Sequence, residues 1–342
     1  MLALQAVTPY QLTLAVPGVT LAEARKIVAQ IHRGEPVAAS SSVRRTAAEA
    51  VRAAGSVPTL AVVDEVASDL DPFVKYALDG GGARFEAVRI PLENPGRFTV
   101  CVSSQVGCAL ACAFCATGRL GLARNLAAWE IIEQVRIVRA RLPRGRVHGV
   151  VFQGMGEPLA NLDAVLAAIA VLTEPCAQGI DARAITVCTA GLPSGIRRLA
   201  HEAPNVRLGL SISSAIAAHR KRVMPIAERH DLDDVIAASV EHAQLTGHSP
   251  MWAVTLLDGI NDSADDARAL ADRVVAFAAA TGRRPRISLL DYNAIGGDDP
   301  FLRSPRMPAF RDVLSAAGLA SHRRYSGGSD VAAACGQLAN AG

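Results

Sequence analysis

The sequence predicts an α/β fold: a partial (β/α)6 barrel preceded by a small N-terminal helical accessory domain. Three observations carry this reading. From Arg97 onward, short runs rich in Val, Ile and Leu alternate with amphipathic stretches, the pattern of a parallel sheet covered by helices. Hydrophobic residues make up 50% of the 342 residues and aromatics only 4%, so a large core must be filled mainly by aliphatic side chains. A cysteine-rich loop follows the first apolar run directly, and parallel barrels place their chemistry at the C-terminal ends of strands.

Residues 1–83 form the expected accessory domain. Residues 21–32 and 43–54 carry helical periodicity with Arg, Lys and Glu on the polar side, and 61–78 is read as a further helix. Gly80, Gly81 and Gly82 mark a turn or hinge. A strand at 84–90 then leads into the barrel, residues 84–342. Its strands are expected at 98–103, 148–154, 184–189, 206–213, 252–257 and 286–292. Its helices are expected at 127–142, 162–172, 194–201, 232–246, 263–281 and 308–317. No internal repeat or low-complexity tract interrupts the pattern, and the tail after Gln337 is expected to fray.

The N-terminus has neither the basic start nor the apolar stretch of a signal peptide. No run approaches the roughly 18 apolar residues of a membrane helix. A soluble, cytoplasmic protein is expected, in a compartment that keeps thiols reduced. The net charge of +3 permits nucleic-acid binding without demanding it. Arg136, Arg139, Arg141, Arg144 and Arg146 form one basic cluster, Arg220, Lys221 and Arg222 a second, and Arg323 with Arg324 a third. Each is either an ordinary solvated surface or a phosphate contact.

The strongest chemical signal is Cys108, Cys112 and Cys115, spaced C-x3-C-x2-C with Phe114 before the last. Three thiolates hold three irons of a cubane [4Fe-4S] cluster and leave one iron open, whereas ferredoxin clusters are closed by four cysteines. Structural zinc usually takes four ligands in paired motifs, and neither Cys101 nor His148 completes such a pattern. Cys101, Cys176, Cys188 and Cys335 lack ligand spacing and read, by themselves, as small core residues. A second motif, VFQGMGEPLAN (151–161), follows a strand. Its glycines let backbone approach a ligand closely, and Glu157 suits an amino group.

Together these residues resemble the radical S-adenosylmethionine (SAM) methyltransferases that act on adenine carbons of RNA, the RlmN/Cfr type. The resemblance rests on CVSSQVGCALACAFCATG (101–118), RNLAAWEIIEQV (124–135), GMGEPLAN (154–161), LSIS (210–213), VMPI (223–226), LLDGINDS (256–263), Asn293 and DVAAACGQLAN (330–340). It covers residue 86 to the C-terminus strongly and the N-terminal helices faintly. It implies a radical SAM barrel, one [4Fe-4S] cluster on Cys108, Cys112 and Cys115, and SAM at the open iron. SAM contacts would come from Gly156, Glu157, Cys188, Ser211, Ile212, Ser213 and Asn293. The same resemblance makes Cys335 the thiol that carries the methyl group. Cys101 would then release the product and form a Cys101–Cys335 disulfide, and Glu86 would accept the proton. By itself, Glu86 reads as a strand-face charge. The implied partners are ribosomal or transfer RNA and a flavodoxin- or ferredoxin-type reductant, with a monomeric enzyme and carbon-2 favoured over carbon-8.

Several segments depart from the family pattern. SISSAIAAHRKR (211–222) stands where a His-Ala-Pro-Asn-Asp type run is usual. YSGGSDVAAAC (325–335) lacks the usual basic residue and paired acids, Gln153 replaces an apolar residue, and Cys188 replaces a serine. These departures fall where substrate should be met. They leave open an alternative: the same two-cysteine methylation on a small heteroaromatic or peptide.

Overall fold

The computed structural model describes residues 1–339. A ten-stranded sheet organises them, and each strand lies beside the next in sequence. Strands β1 (Ala61–Ala67), β2 (Val74–Asp79), β3 (Arg84–Pro91) and β4 (Arg97–Val102) pair antiparallel. From β4 onward every pairing is parallel: β5 (Arg146–Phe152), β6 (Ile185–Thr189), β7 (Arg207–Ser211), β8 (Met251–Leu256), β9 (Arg286–Asp291) and β10 (Ser321–Arg324). Strands β4–β9 are the six expected from the sequence, with ends moved by no more than two residues. The seventh parallel strand, β10, is too short to register as an apolar run.

Helices α4 (Ala128–Ala140), α5 (Leu162–Thr173), α6 (Pro193–Glu202), α8 (Leu232–Thr246), α9 (Ala264–Thr281) and α10 (Met307–Ala316) cover the sheet. A shorter α7 (Ala217–Val223) lies between α6 and α8. The sequence specifies their ends. Ser263 and Asp266 form a capping box at the start of α9. Gly247 and Gly282 stop α8 and α9 in the left-handed region. Val100, Val150, Val187, Leu208 and Leu210 lie fully buried between sheet and helices. Each contributes about 1.5–3 kcal/mol of burial free energy. Trp252 packs edge-on against Phe277 at 5.2 Å.

Helices α1 (Pro9–Ala15), α2 (Leu21–His32) and α3 (Arg45–Ala54) gather around a second core of Leu12, Ile27, Val28, Ile31, Ala48 and Val51. This unit docks on α4 and on the loop after α5. Arg136 donates to the Ile31 carbonyl (2.9 Å), and Gln178 meets the His32 ring (3.0 Å).

Two expectations need correction. Residues 61–78 are not a helix but the β1–β2 hairpin. Pro72 cannot sit inside a helix, and the Asp71 carboxylate accepts the Phe73 N–H (3.1 Å) to build the turn. The exposed, acidic outer strand imitates the polar face of a helix. The tail beyond Gln337 is also held as far as it is described. Leu338 is buried, its carbonyl accepts from Thr117 (2.5 Å), and the Ala339 N–H donates to Glu86 (3.0 Å). The rest of that expectation, residues 340–342, lies outside the described residues.

Candidate active site

The chain leaves β4 into a loop braced as a ribbon by Gln105–Gly107 against Leu122–Asn125. Gly107 (φ 75°) has no room for a side chain, since a Cβ would sit 1.9 Å from the Gly121 carbonyl oxygen. That crossing closes the loop, and the Cys108 N–H donates to the same carbonyl (2.8 Å). Cys108, Cys112 and Cys115 thereby face a common cavity at the C-terminal ends of the strands. The cavity encloses about 960 Å³ with its open mouth counted. Gly156, Glu157, Cys188, Ser211 and Ser213 line the opposite wall.

Burial sets the electrostatics. It pushes the Cys108 thiol up to about 11, and raises Cys112 and Cys115 as well, with neighbouring thiols adding to the shift at Cys112. Glu157 is raised to about 6 by burial, against the hydrogen bonds that hold it as a carboxylate. Its oxygens accept the N–H groups of Ala190 (2.8 Å) and Leu159 (3.0 Å). Arg220 is 1% exposed and gives the wall its shape. Its guanidinium donates to the carbonyls of Ser211 (2.8 Å), Ala190 (2.6 Å) and Ile212. The basic run 220–222 is therefore not wholly a surface cluster: its first member braces two strand ends.

A second cavity adjoins the first through Cys115, Gln153, Gly154, Cys335 and Gly336, which line both. Cys101 lines the second cavity, so Cys101 and Cys335 share one chamber. Arg324 enters it too, while Arg323, next along β10, points away to Asp291 (2.8 Å). Burial disfavours the Arg324 charge, but Cys335, Cys188 and Cys101 nearby outweigh it and raise the pKa. Burial raises the Cys101 thiol, and Cys188 rises to about 12. The Cys188 thiol donates to Gln153 at 3.6 Å, a weak contact.

Cys335 is pinned on several sides. Its N–H donates to Ser326 Oγ (2.8 Å), and its carbonyl accepts from Asn293 (3.2 Å). The Gly336 carbonyl accepts the Ala116 N–H (2.7 Å), one residue beyond Cys115. Glu86 is 1% exposed, and Lys75 Nζ lies 3.1 Å from its Oε1 without hydrogen-bond geometry.

The structure thus gathers most of the residues singled out from sequence. Ile212 and Asn293 do not line the main cavity: Ile212 is buried and Asn293 holds the Cys335 segment. Glu86 lies behind the tail rather than in either cavity wall. Gln153, Arg220, Arg324, Lys75 and Ser326 are additions. Gln153 and Ser326 already stood out as departures from the family pattern, and Arg220 and Arg324 as members of basic clusters; the inward turn of Arg324 follows the two-residue alternation of a strand, and Lys75 had no signal.

The radical SAM superfamily model matches residues 102–272. A probable RNA methyltransferase of Sorangium cellulosum is 59% identical, covering 94% of this chain and 88% of its own length. The dual-specificity RNA methyltransferase RlmN of Syntrophobacter fumaroxidans is 42% identical over 75% of this chain and 73% of its own. A crystal structure of a radical SAM methyltransferase from Sphaerobacter thermophilus superposes with a TM-score of 0.87 at 33% identity, covering 99% of this chain and 100% of that one. The chain belongs to the radical SAM methyltransferases of the RlmN type. Its cofactors are accordingly one [4Fe-4S] cluster and SAM. The residues fit them: three desolvated thiols, reluctant to ionise alone, line one cavity together with a buried carboxylate. Among the described residues, no helix is long and apolar enough to cross a membrane.

Proposed function

We propose that this RlmN-type methyltransferase methylates an adenine carbon of RNA, carbon-2 in preference to carbon-8, through an S-methylcysteine at Cys335. One observation carries the reading. Cys335 stands at the passage between the cavity lined by Cys108, Cys112 and Cys115 and the chamber that holds Cys101. When bound, the cluster and SAM supply the methyl group and the radical chemistry. The side chains do the rest. Cys108, Cys112 and Cys115 hold the cluster. Gly156, Glu157, Cys188, Ser211 and Ser213 shape the SAM pocket, and Ile212 and Asn293 support it from behind. Cys335 lines both cavities, the position a one-carbon carrier needs. Cys101 attacks that sulfur at the end: the S–S bond forms as the bond from the Cys335 sulfur to the base-bound carbon breaks, that carbon takes a proton, and the Cys101–Cys335 disulfide is left to be reduced; a flavodoxin- or ferredoxin-type protein is the electron donor of the reaction. Glu86, held behind the carrier segment by the Ala339 N–H, takes the proton from the adenine carbon once that segment moves aside. The enzyme works as a cytoplasmic monomer. The N-terminal unit within residues 1–83 grips phosphates, and such contacts set position rather than sequence. The names of the relatives support RNA as substrate.

The test uses reconstituted enzyme, bulk RNA and methyl-labelled SAM. Label should reach Cys335 first and an adenine nucleoside second. Cys101→Ala should accumulate a covalent protein–RNA adduct, and Cys335→Ala should take up no label. Normal turnover by Cys101→Ala without an adduct would reject the cysteine roles. Label in a small molecule alone would reject RNA.

A further inference from the structure

The N-terminal ends of the barrel strands, opposite the cavity, carry a charge pattern that the chemistry does not use. Arg97, Arg146, Arg207 and Arg286 are the first residues of β4, β5, β7 and β9, and Arg183 stands just ahead of β6. The sheet sets them side by side around one rim, with Arg97 directly opposite Arg146 in the register. Arg183, Arg207, Arg286, Asn205, His248 and Ser249 line an open cleft there of about 460 Å³. Some arginines elsewhere are neutralised, and Arg119, Arg124, Arg136, Arg197, Arg303 and Arg323 each face a carboxylate within 3.5 Å; others, such as Arg220, are held by carbonyls instead. On the rim, only Arg183 has such a partner, Asp181 at 3.1 Å; among the described residues, Arg97, Arg146, Arg207 and Arg286 have none. Partial burial and the neighbouring Arg286 both press the Arg207 pKa down, against the pull of Asp181. Five arginines against the single ion-pair partner Asp181 leave this rim net positive, which attracts anions.

We propose that this lower rim is a second RNA-binding surface, which holds backbone phosphates of a segment distant from the target base. The inference rests on the RNA reading above and extends it to a face that no cofactor or carrier residue touches. Two features favour a polyanion over a single phosphate. Strands lie about 4.8 Å apart, so the arc from β4 to β9 spans roughly 24 Å, the length of several phosphate spacings. The rim also adjoins the N-terminal unit: the loop that carries Gln178, which receives a hydrogen bond from Arg139 (3.0 Å) and touches His32, leads into β6. The loop before β6 thus links the accessory unit to the rim, and RNA held on both would reach the cavity mouth by wrapping around the barrel.

The experiment compares the full chain with Arg207→Glu/Arg286→Glu, using purified transfer RNA and protein-free ribosomal RNA fragments as probes. Affinity is read by anisotropy from 50 to 200 mM salt. The variant should bind at least tenfold more weakly, with a log–log salt slope shallower by about 1.5, the loss of two phosphate contacts. Methyl loading of Cys335 without RNA should not change, which excludes misfolding, and Arg207→Lys/Arg286→Lys should bind like the parent. A variant with the parent's affinity and slope, where the parent binds RNA, overturns the inference and leaves the RNA reading standing. If inorganic phosphate stabilises the parent but not the variant while RNA binding is equal, the cleft takes a small anion and the inference is again wrong. A parent that binds neither RNA overturns both.

Discussion

The Lys75–Glu86 pair gives the sharpest energetic prediction. The two side chains are 9% and 1% exposed, with nitrogen and oxygen 3.1 Å apart on neighbouring strands β2 and β3. At an effective dielectric of about 20, that separation corresponds to roughly 5 kcal/mol of attraction. Desolvating both charges offsets much of it, so the pair is close to neutral for stability as a whole. Removing one partner is different, because the other is left buried and unbalanced. Lys75→Met should therefore destabilise the fold by about 3–5 kcal/mol, and Glu86→Gln by a similar amount, since its neutral amide leaves the Lys75 ammonium buried without a counter-charge. Adding Glu86→Met to Lys75→Met should recover most of the loss. Urea unfolding at neutral pH measures all of these, with the slopes compared to confirm a common transition. If Lys75→Met costs under 1 kcal/mol, or the two methionine substitutions simply add, the charges are not coupled as described. Glu86→Gln also separates stability from chemistry: it should remain folded and stop turnover after the RNA adduct has formed.

Glu157 gives a pH dependence. Its carboxyl is raised to about 6 by burial, so it is ionised above that value and takes a proton as the pH falls through it. Once protonated it would no longer accept as a carboxylate from the amino group of SAM, and affinity should weaken about tenfold between pH 7.5 and 5. Calorimetry on the reconstituted enzyme measures this, and a flat profile would contradict it. Gly156→Ala should lose SAM binding: the residue has φ 97°, and a Cβ there would lie 2.5 Å from the Gln105 Cβ. An alanine variant with parental SAM affinity would show that the strand end yields more easily than its packing implies.

The barrel was legible because its strands are continuous aliphatic runs bounded by turns, and its helices carry their own caps. The cluster loop was legible because three cysteines at that spacing have few other uses. What failed was context. Residues 61–78 alternate charge and valine in a way that suits either a helix face or an outer strand, and only Asp71-Pro72 argued for the turn. Arg220 sits between two other residues in a polar run, and nothing local says that its guanidinium turns inward to three carbonyls. Asn293 carries a family signal, but its neighbour is decided by the fold: the segment 326–335 returns from the end of the chain to meet it.

The carrier segment explains how substrate-facing residues can diverge while the reaction machinery stays intact. Besides two local bonds between Ala334 and Gln337, six hydrogen bonds among the described residues fix residues 335–339, and most of these six use backbone or residues outside the altered run. Ala116 and Thr117 meet Gly336 and Leu338, Asn293 meets Cys335, Gln337 meets the Ala294 carbonyl, and Glu86 meets Ala339. Only Ser326 comes from the divergent stretch, through its hydroxyl to the Cys335 N–H. A single neutral hydrogen bond is worth about 0.5–1.5 kcal/mol, so Ser326→Ala should slow methyl loading of Cys335 by no more than about tenfold. Thr117→Val should do worse, because it leaves the buried Leu338 carbonyl unpaired next to the cluster loop. Mass spectrometry of Cys335 after single-turnover loading ranks the two. The reverse order would mean that the divergent stretch, not the loop behind Cys115, positions the sulfur.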